Sequence, residues 1–383
     1  MKVSLSTIGK FHTFDLAREL HAAGCLQSIY TGYPSFKLKD EKLPTSKLRS
    51  FPWVQTPYMA LNRFGLGGER TNRMLEYLAK VTLDRYVAKY LNDCDVFVGM
   101  SGSGLNSGRR MHAIGGRYVC DRGSAHIQVQ DELLRAEHDR WGMPFQGIDQ
   151  RVIDLECAEY EEADCITVPS QFAIRSFLDA GVPFRKLRLL PYGVNLSRFE
   201  PTRRPVDGAF NVLFVGAMSL QKGIPYLLQA FARVEHPRKT LSLVGTPSPE
   251  LIQRMKDCGL WSEQVRVLGS MPQQELKHIM SASHVLVLPS VQDGFGMVMA
   301  QAMACGCPVV ASRNTGGADL FEDGVQGYVV AERNGDVLAD RLQTLADQPD
   351  LREAMAQRAL VRVRKMGGWR DYGSLAQKIY REL

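Results

Sequence analysis

LVLPSVQDGFGMVMAQAMACGCPVVA, residues Leu286 to Ala311, sets the pattern for the whole chain. Its apolar run, begun at Val285, stops at Pro289-Ser290, and a glycine loop follows, Asp293-Gly294-Phe295-Gly296. Small residues at helical spacing fill Met297 to Cys305, Gly306 closes that helix, and Pro308-Val309-Val310-Ala311 opens another apolar strand. Strand, glycine loop, helix and strand in this order make one layer of a parallel α/β sheet. The loop of such a layer offers backbone N–H groups at the carboxyl edge of the sheet, where polar oxygens and anions bind.

Outward from this stretch the alternation recurs. Val212 to Val215 reads as a strand, and the segment after it, Gly216 to Gly223, ends with Lys222 beside a glycine bend. Leu241 to Val244 and Val265 to Leu268 are further strands, opening into loops at Gly245 and Gly269. Val337 to Arg364 reads as a helical tail, and Tyr372 to Leu383 as a last helix. Upstream, the polar, turn-rich Arg203 to Gly208 places a domain boundary near 195 to 208, and Gly193 just before it permits an unusual backbone angle.

The first half shows the same logic more faintly. Lys2 to Ser6 is a strand, Thr7 to His12 a loop containing Gly9, and a helix starts at Phe14. Lys10 and His12 belong to that loop, where plain solvation is the alternative to a ligand contact. Val96 to Val98, Arg117 to Cys120 and Cys165 to Val168 are the later strands. Asp121, Arg122 and His126 place an acid, a guanidinium and an imidazole within six residues of a strand end. That combination suits catalysis or phosphate binding, with helix capping the alternative for His126. Glu156, Glu159, Glu161 and Glu162 have no histidine among them and read as a wet helix face. Lys37, Lys39, Lys42, Lys47 and Arg49 run into Phe51, Trp53, Tyr58 and Phe64. Basic residues beside aromatics suit a surface resting on anionic lipid, or an ordinary insertion.

A chain of 383 residues exceeds the size of one core, so two domains are expected. Apolar residues at 45% and charged residues at 23% are ordinary for a soluble protein. No apolar run reaches the length of a membrane span, and no leader pattern precedes the first strand. The eight cysteines read as reduced thiols of a cytosolic protein, and Cys305-Gly306-Cys307 lacks the spacing of a zinc site. The formal charge of +6 forms no sustained basic stripe, which disfavours nucleic acid. No Gly-x-Gly-x-x-Gly follows the first strand, which disfavours a dinucleotide oxidoreductase.

Phe295, Gly296, Ala302, Met303, Ala304, Gly306, Pro308 and Val309-Val310 together resemble the signature of retaining glycosyltransferases of family 4, which have the GT-B fold. Lys222-Gly223 and the linker phrase Leu189 to Asn195 are similar to that family as well, and topology extends the resemblance over the first half. It implies two Rossmann-like domains across a cleft. The first would span 1–195, bind the acceptor and be completed by a helix at 370–383; the second, 196–369, would bind the donor. It implies a UDP-sugar donor, no metal and no enzymic nucleophile. Lys222 would neutralise the diphosphate, Asp293 would meet the hexose, and Gln301 the ribose. Gly223, Gly245, Gly269, Gly294, Phe295 and Gly296 would contact the donor, and Gly9 would approach its phosphates and the acceptor. Asp121 and His126 would lie at the reacting sugar. Arg122 would offset Ala217, which stands where relatives carry an arginine. The acceptor would be a glycan or a polyprenyl-diphosphate-linked glycan in cell-surface polysaccharide synthesis. Cytoplasmic placement is implied, with peripheral contact at the inner face of the membrane left open. A binding-only homologue, an inverting GT-B transferase and an epimerase are the alternatives.

Overall fold

The computed structural model describes residues 1–63, 68–195 and 198–383; Phe64, named above in the aromatic stretch, lies outside them. Seven parallel strands form the first sheet: β1 (Val3–Thr7), β2 (Leu26–Thr31), β3 (Leu48–Ser50), β4 (Val96–Met100), β5 (Arg117–Asp121), β6 (Cys165–Val168) and β7 (Leu187–Leu189). Their spatial order is β3-β2-β1-β4-β5-β6-β7. Six more form the second sheet: β8 (Phe210–Val215), β9 (Lys239–Val244), β10 (Val265–Gly269), β11 (Val285–Leu288), β12 (Val309–Ser312) and β13 (Gly327–Val330), in the order β10-β9-β8-β11-β12-β13. Helices cover both faces of each sheet, so the inner strands can be apolar throughout. Val285–Leu288 and Val309–Ser312 are buried at every position. The strand order reverses between β1 and β4 and again between β8 and β11. A crevice opens at such points outside the carboxyl ends of the strands. The architecture is GT-B: two Rossmann-like domains with their crevices turned toward each other.

Helix Gly368–Arg381 returns to the first domain and packs on helix His12–Ala22. A Cβ on Gly373 would stand 2.4 Å from Glu19 Cβ, which fixes glycine where the two helices touch. Gly193 has a related reason, different from the expected one. Its φ is outside the left-handed region, but a Cβ there would meet the backbone of Gly368 and Trp369 at 2.5–2.6 Å. The two places where the chain passes between domains therefore lie against each other. The helical tail is two helices, Gly335–Asp347 and Pro349–Arg364, because Pro349 cannot continue the first.

The domains also meet far from the crevices. Glu137, fully buried on helix Ile127–Trp141 of the first domain, accepts bonds from Tyr226 Oη at 2.7 Å and Arg333 Nε at 2.7 Å, both on the second. Trp141 Nε1 donates to the same carboxylate at 2.9 Å. Asp319 of the second domain accepts from the Gln171 backbone N–H at the start of the first-domain helix Gln171–Asp179. Among the described residues no helix is long and apolar enough to cross a membrane.

Candidate active site at the facing crevices

On the second-domain side, β8 delivers Lys222 through the loop after Val215. Gly223 (φ +71) then starts helix Ile224–Arg233, and a Cβ there would lie 2.0 Å from the Pro289 carbonyl oxygen. Loop 289–297 after β11 thus packs against the lysine loop. Lys222 Nζ bonds Asp293 Oδ2 at 2.5 Å. The other oxygen of Asp293 accepts from the Phe295 N–H at 3.4 Å, an Asx turn that aims the carboxylate. A cavity of about 340 Å³ is lined by Lys222, Asp293, Phe295, Gly296, Gln301 and Met297, with Gly123 and Tyr192 closing it from the first domain. Gly245 (φ +140) has its amide on the Gly269 carbonyl oxygen at 2.9 Å, so these loops sit side by side at the edge of the sheet. Ala217 is exposed beside them.

A larger cavity, about 740 Å³, opens on the first-domain side and shares Gly123, Tyr192 and Met297 with the first. Its floor is a buried pair, His12 Nε2 to Asp121 Oδ2 at 2.5 Å, with Thr167 Oγ1 donating to Asp121 Oδ1 at 3.0 Å. His12 begins helix His12–Ala22 rather than ending a loop, and its ring lies on Tyr192 with centroids 4.3 Å apart. Tyr192 in turn meets Phe295 at 5.6 Å and Tyr372 at 6.1 Å. Trp369 of the last helix joins the lining. Where the domains touch, a Cβ on Gly294 would fall 1.9 Å from the Gly123 carbonyl oxygen, and Ser124 Oγ donates to Gln292 Oε1 at 3.0 Å.

Three placements depart from the sequence reading. His126 lines neither cavity; it caps helix Ile127–Trp141 through Nδ1 and packs between Tyr160 and Phe177. Burial, with Arg122 nearby, lowers its pKa to about 4, and the imidazole at the crevice is His12 instead. Arg122 lines the larger cavity, where Glu156 (2.6 Å), Gln130 (2.6 Å) and the Ala125 carbonyl oxygen (3.0 Å) engage its guanidinium. It does not line the cavity of Lys222, although its neighbour Gly123 does. Glu156 and Glu159 are buried, not a wet face. Glu159 accepts the N–H groups of Gly102 and Gly104 at 2.6 Å each, and Glu156 accepts from Ser101 Oγ at 2.7 Å. The two acids thereby fix the loop after β4 at the cavity wall. Burial and the neighbouring Glu156 push Glu159 up to about 8, whereas Glu156 is held low against its own burial by Arg122 and Lys80. Gly9 stands in the β1 loop, its carbonyl oxygen accepting from Thr7 Oγ1 at 3.0 Å. The sequence reading missed Tyr192 and Trp369, because nothing local separates a lining aromatic from a core one.

Among the described residues no group of three or more His, Cys, Asp or Glu is arranged to hold a metal ion. Residues 199–362, the second domain with Lys222, Asp293 and Gln301, match the family model for glycosyl transferases group 1. This second half of the chain is similar to the group 1 glycosyl transferases. D-inositol 3-phosphate glycosyltransferase of Corynebacterium jeikeium is 32% identical over 220 residues, 51% of this chain and 52% of that protein. The chain thus spans about half the length of the curated relatives it matches. Among solved structures, sucrose-phosphate synthase of Thermosynechococcus elongatus superposes with a TM-score of 0.71 at 21% identity, covering 100% of this chain and 98% of that one. Anabaena HepE in complex with UDP and glucose gives 0.71 at 18% identity, with both chains fully covered. At these identities the likeness is one of fold. The group 1 relationship is carried by the second domain, the half in which the Lys222–Asp293 pair lies.

Proposed function

We propose that the protein is a retaining hexosyltransferase that moves a sugar from a UDP-sugar to a glycan or lipid-linked glycan of a cell-surface polysaccharide. The observation that carries this reading is the ion pair Lys222–Asp293, set in a small crevice that opens onto the larger one floored by His12 and Asp121. Donor binding gives each member of the pair a new partner. The ammonium turns to the diphosphate and neutralises charge on the leaving group, and the carboxylate accepts from hexose hydroxyls. Gln301 meets the ribose hydroxyls through its amide. Gly223, Gly245, Gly269, Gly294, Phe295 and Gly296 place backbone groups near the nucleotide. Asp121, aimed by Thr167 and bonded to His12, faces the accepting hydroxyl, and Gly9 leaves the loop before it open. The donor's phosphate oxygens assist deprotonation, so no protein nucleophile is used.

Calorimetric titration with UDP, GDP and ADP tests the donor, with UDP expected to bind tightest; equal binding of all three overturns it. Proton NMR of the product linkage tests retention, and an axial donor giving an equatorial linkage refutes it. The membrane part of the reading rests on Phe36 and Trp53, exposed at 66% and 76%. Phe36 adjoins exposed Lys37, and exposed Lys39 and Lys42 follow on the same segment, which reaches the larger cavity at Glu41. Such a patch seats a soluble enzyme reversibly on anionic lipid.

A further inference from the structure

The larger cavity has an unusual charge arrangement for a protein with a net positive charge. Among the described residues five carboxylates line it, Asp15, Glu41, Glu76, Asp121 and Glu156, against three cations, Lys10, Lys80 and Arg122, with His12 bonded to Asp121. Every one of those cations is already paired. Lys10 bonds Glu41 at 2.8 Å, Lys80 bonds Glu76 at 3.0 Å, and Arg122 bonds Glu156 at 2.6 Å. Arg18, behind the lining, bonds both Asp15 and Glu41. An entering phosphate would find carboxylate on each cation, and with Arg18 counted the surplus is one carboxylate, Asp121, which holds His12. Polyhydroxylated sugar meets the opposite situation, since carboxylates accept hydroxyl protons and the paired cations keep N–H groups to donate. The small crevice differs in kind. Among the described residues Lys222 and Asp293 are the only charged ones that line it, and they balance each other, so a diphosphate can take the lysine there.

We infer that the acceptor end entering this cavity is a sugar free of phosphate and carboxylate groups, uncharged or amino-bearing, and that anionic sugars are excluded by the lining carboxylates. This rests on the glycosyltransferase reading and narrows its acceptor class. A second cavity of about 380 Å³ continues the first, sharing Glu76, Lys80, Arg122 and Glu156, and gives room for a further sugar along the same polar wall. A carrier phosphate therefore stays outside, and at least one sugar separates it from the accepting hydroxyl. Attachment of the first sugar to such a carrier belongs to an earlier reaction of another type of enzyme, a transfer onto phosphate.

The test uses p-nitrophenyl glucoside, glucosaminide and glucuronide, with glucose 6-phosphate, in saturation-transfer NMR on the whole protein at saturating UDP. The glucoside and glucosaminide should bind about 10-fold better than the two anionic sugars, a difference on the order of one uncompensated charge in a partly solvated site. Glu41→Gln/Glu76→Gln frees Lys10 and Lys80 and should bring glucose 6-phosphate to within about 3-fold of the glucoside. Anionic sugars binding the wild type as well as the glucoside would overturn the inference. So would an unchanged order of affinities in the double variant, or silence from both the glucoside and the glucosaminide. UDP titration of the same samples reports the donor separately: loss of UDP preference sinks the transferase reading while the sugar ranking still decides the charge selection.

Discussion

Gly294→Ala is the sharpest test of how the two crevices cooperate. A methyl at this position would sit 1.9 Å from the Gly123 carbonyl oxygen, an atom of the other domain. An ordinary carbon–oxygen contact is about 3.3 Å, so something must yield by roughly 1.4 Å. The φ of Gly294 is not in the left-handed region, so the effect is one of space alone. Absorbed inside a packed core, such a methyl costs about 1–3 kcal/mol. Here the domains can part instead, and the melting temperature should fall by only a few degrees. The damage goes to geometry. Asp293 lies next to the added methyl, and Asp121 lies two residues before Gly123, so the facing groups separate by about 1 Å. Misplacement on that scale costs on the order of 100-fold in turnover. UDP release in steady state, UDP titration and thermal melting read the three quantities apart. Turnover should drop about 100-fold while UDP affinity stays near wild type, because Lys222, Gly223 and Gln301 belong to the same domain as Gly294. Gly68→Ala, where a methyl meets nothing within 4 Å, is the control. Wild-type turnover in Gly294→Ala, or UDP affinity lost in step with turnover, would refute the reasoning.

Lys222→Ala should weaken UDP by about 1.5–3 kcal/mol and leave uridine almost unchanged, as expected for a charged hydrogen bond to diphosphate, measured by calorimetry. Glu137→Ala leaves Arg333 without its carboxylate between the domains and should cost about 3 kcal/mol, seen in denaturant unfolding together with faster proteolysis at the interface. Burial lowers His126 and His284 to about 4, so their neutral forms belong to the fold. Their contribution is intact above about pH 6.5 and is lost as pH falls toward 4, and imidazole proton resonances that titrate near 4 in the folded protein would show it. Asp319 is raised to about 6 by burial, so stability should decline as pH rises from about 4 to 6 at this site, and Asp319→Asn should flatten that slope in pH-dependent melting. Phe36→Ala/Trp53→Ala should stay in the supernatant when the wild type pellets with anionic vesicles at low salt; equal pelleting removes the membrane contact.

What could be read from sequence followed the distance over which each signal acts. Strand, loop and helix at 286–311 are local, and apolar period and glycine placement report them directly. Lys222 and Asp293 could be named because each sits at a sheet edge that its own neighbours define. Their 2.5 Å pairing could not, since it depends on the Gly223 to Pro289 packing of two loops separated by more than sixty residues. His12 was reduced to a loop candidate because its partner Asp121 is 109 residues away. His126 misled in the opposite direction, as local chemistry at a strand end cannot tell a helix cap buried under Tyr160 from a group facing the crevice. The acids of helix Gln150–Glu162 failed for the same reason. A carboxylate is ordinarily outside, and only the amides of Gly102 and Gly104 and the guanidinium of Arg122 explain why Glu159 and Glu156 are inside.

Helix Gly368–Arg381 has a consequence for how the protein is made. It supplies Trp369 to the cavity wall and Tyr372 to the ring cluster over His12, yet the ribosome produces it after all thirteen strands. The first sheet can assemble early in synthesis, but its acceptor wall stays unfinished until the second sheet has been translated. A nascent chain would thus hold both halves of the cavity lining apart until a helix that follows both sheets closes the wall.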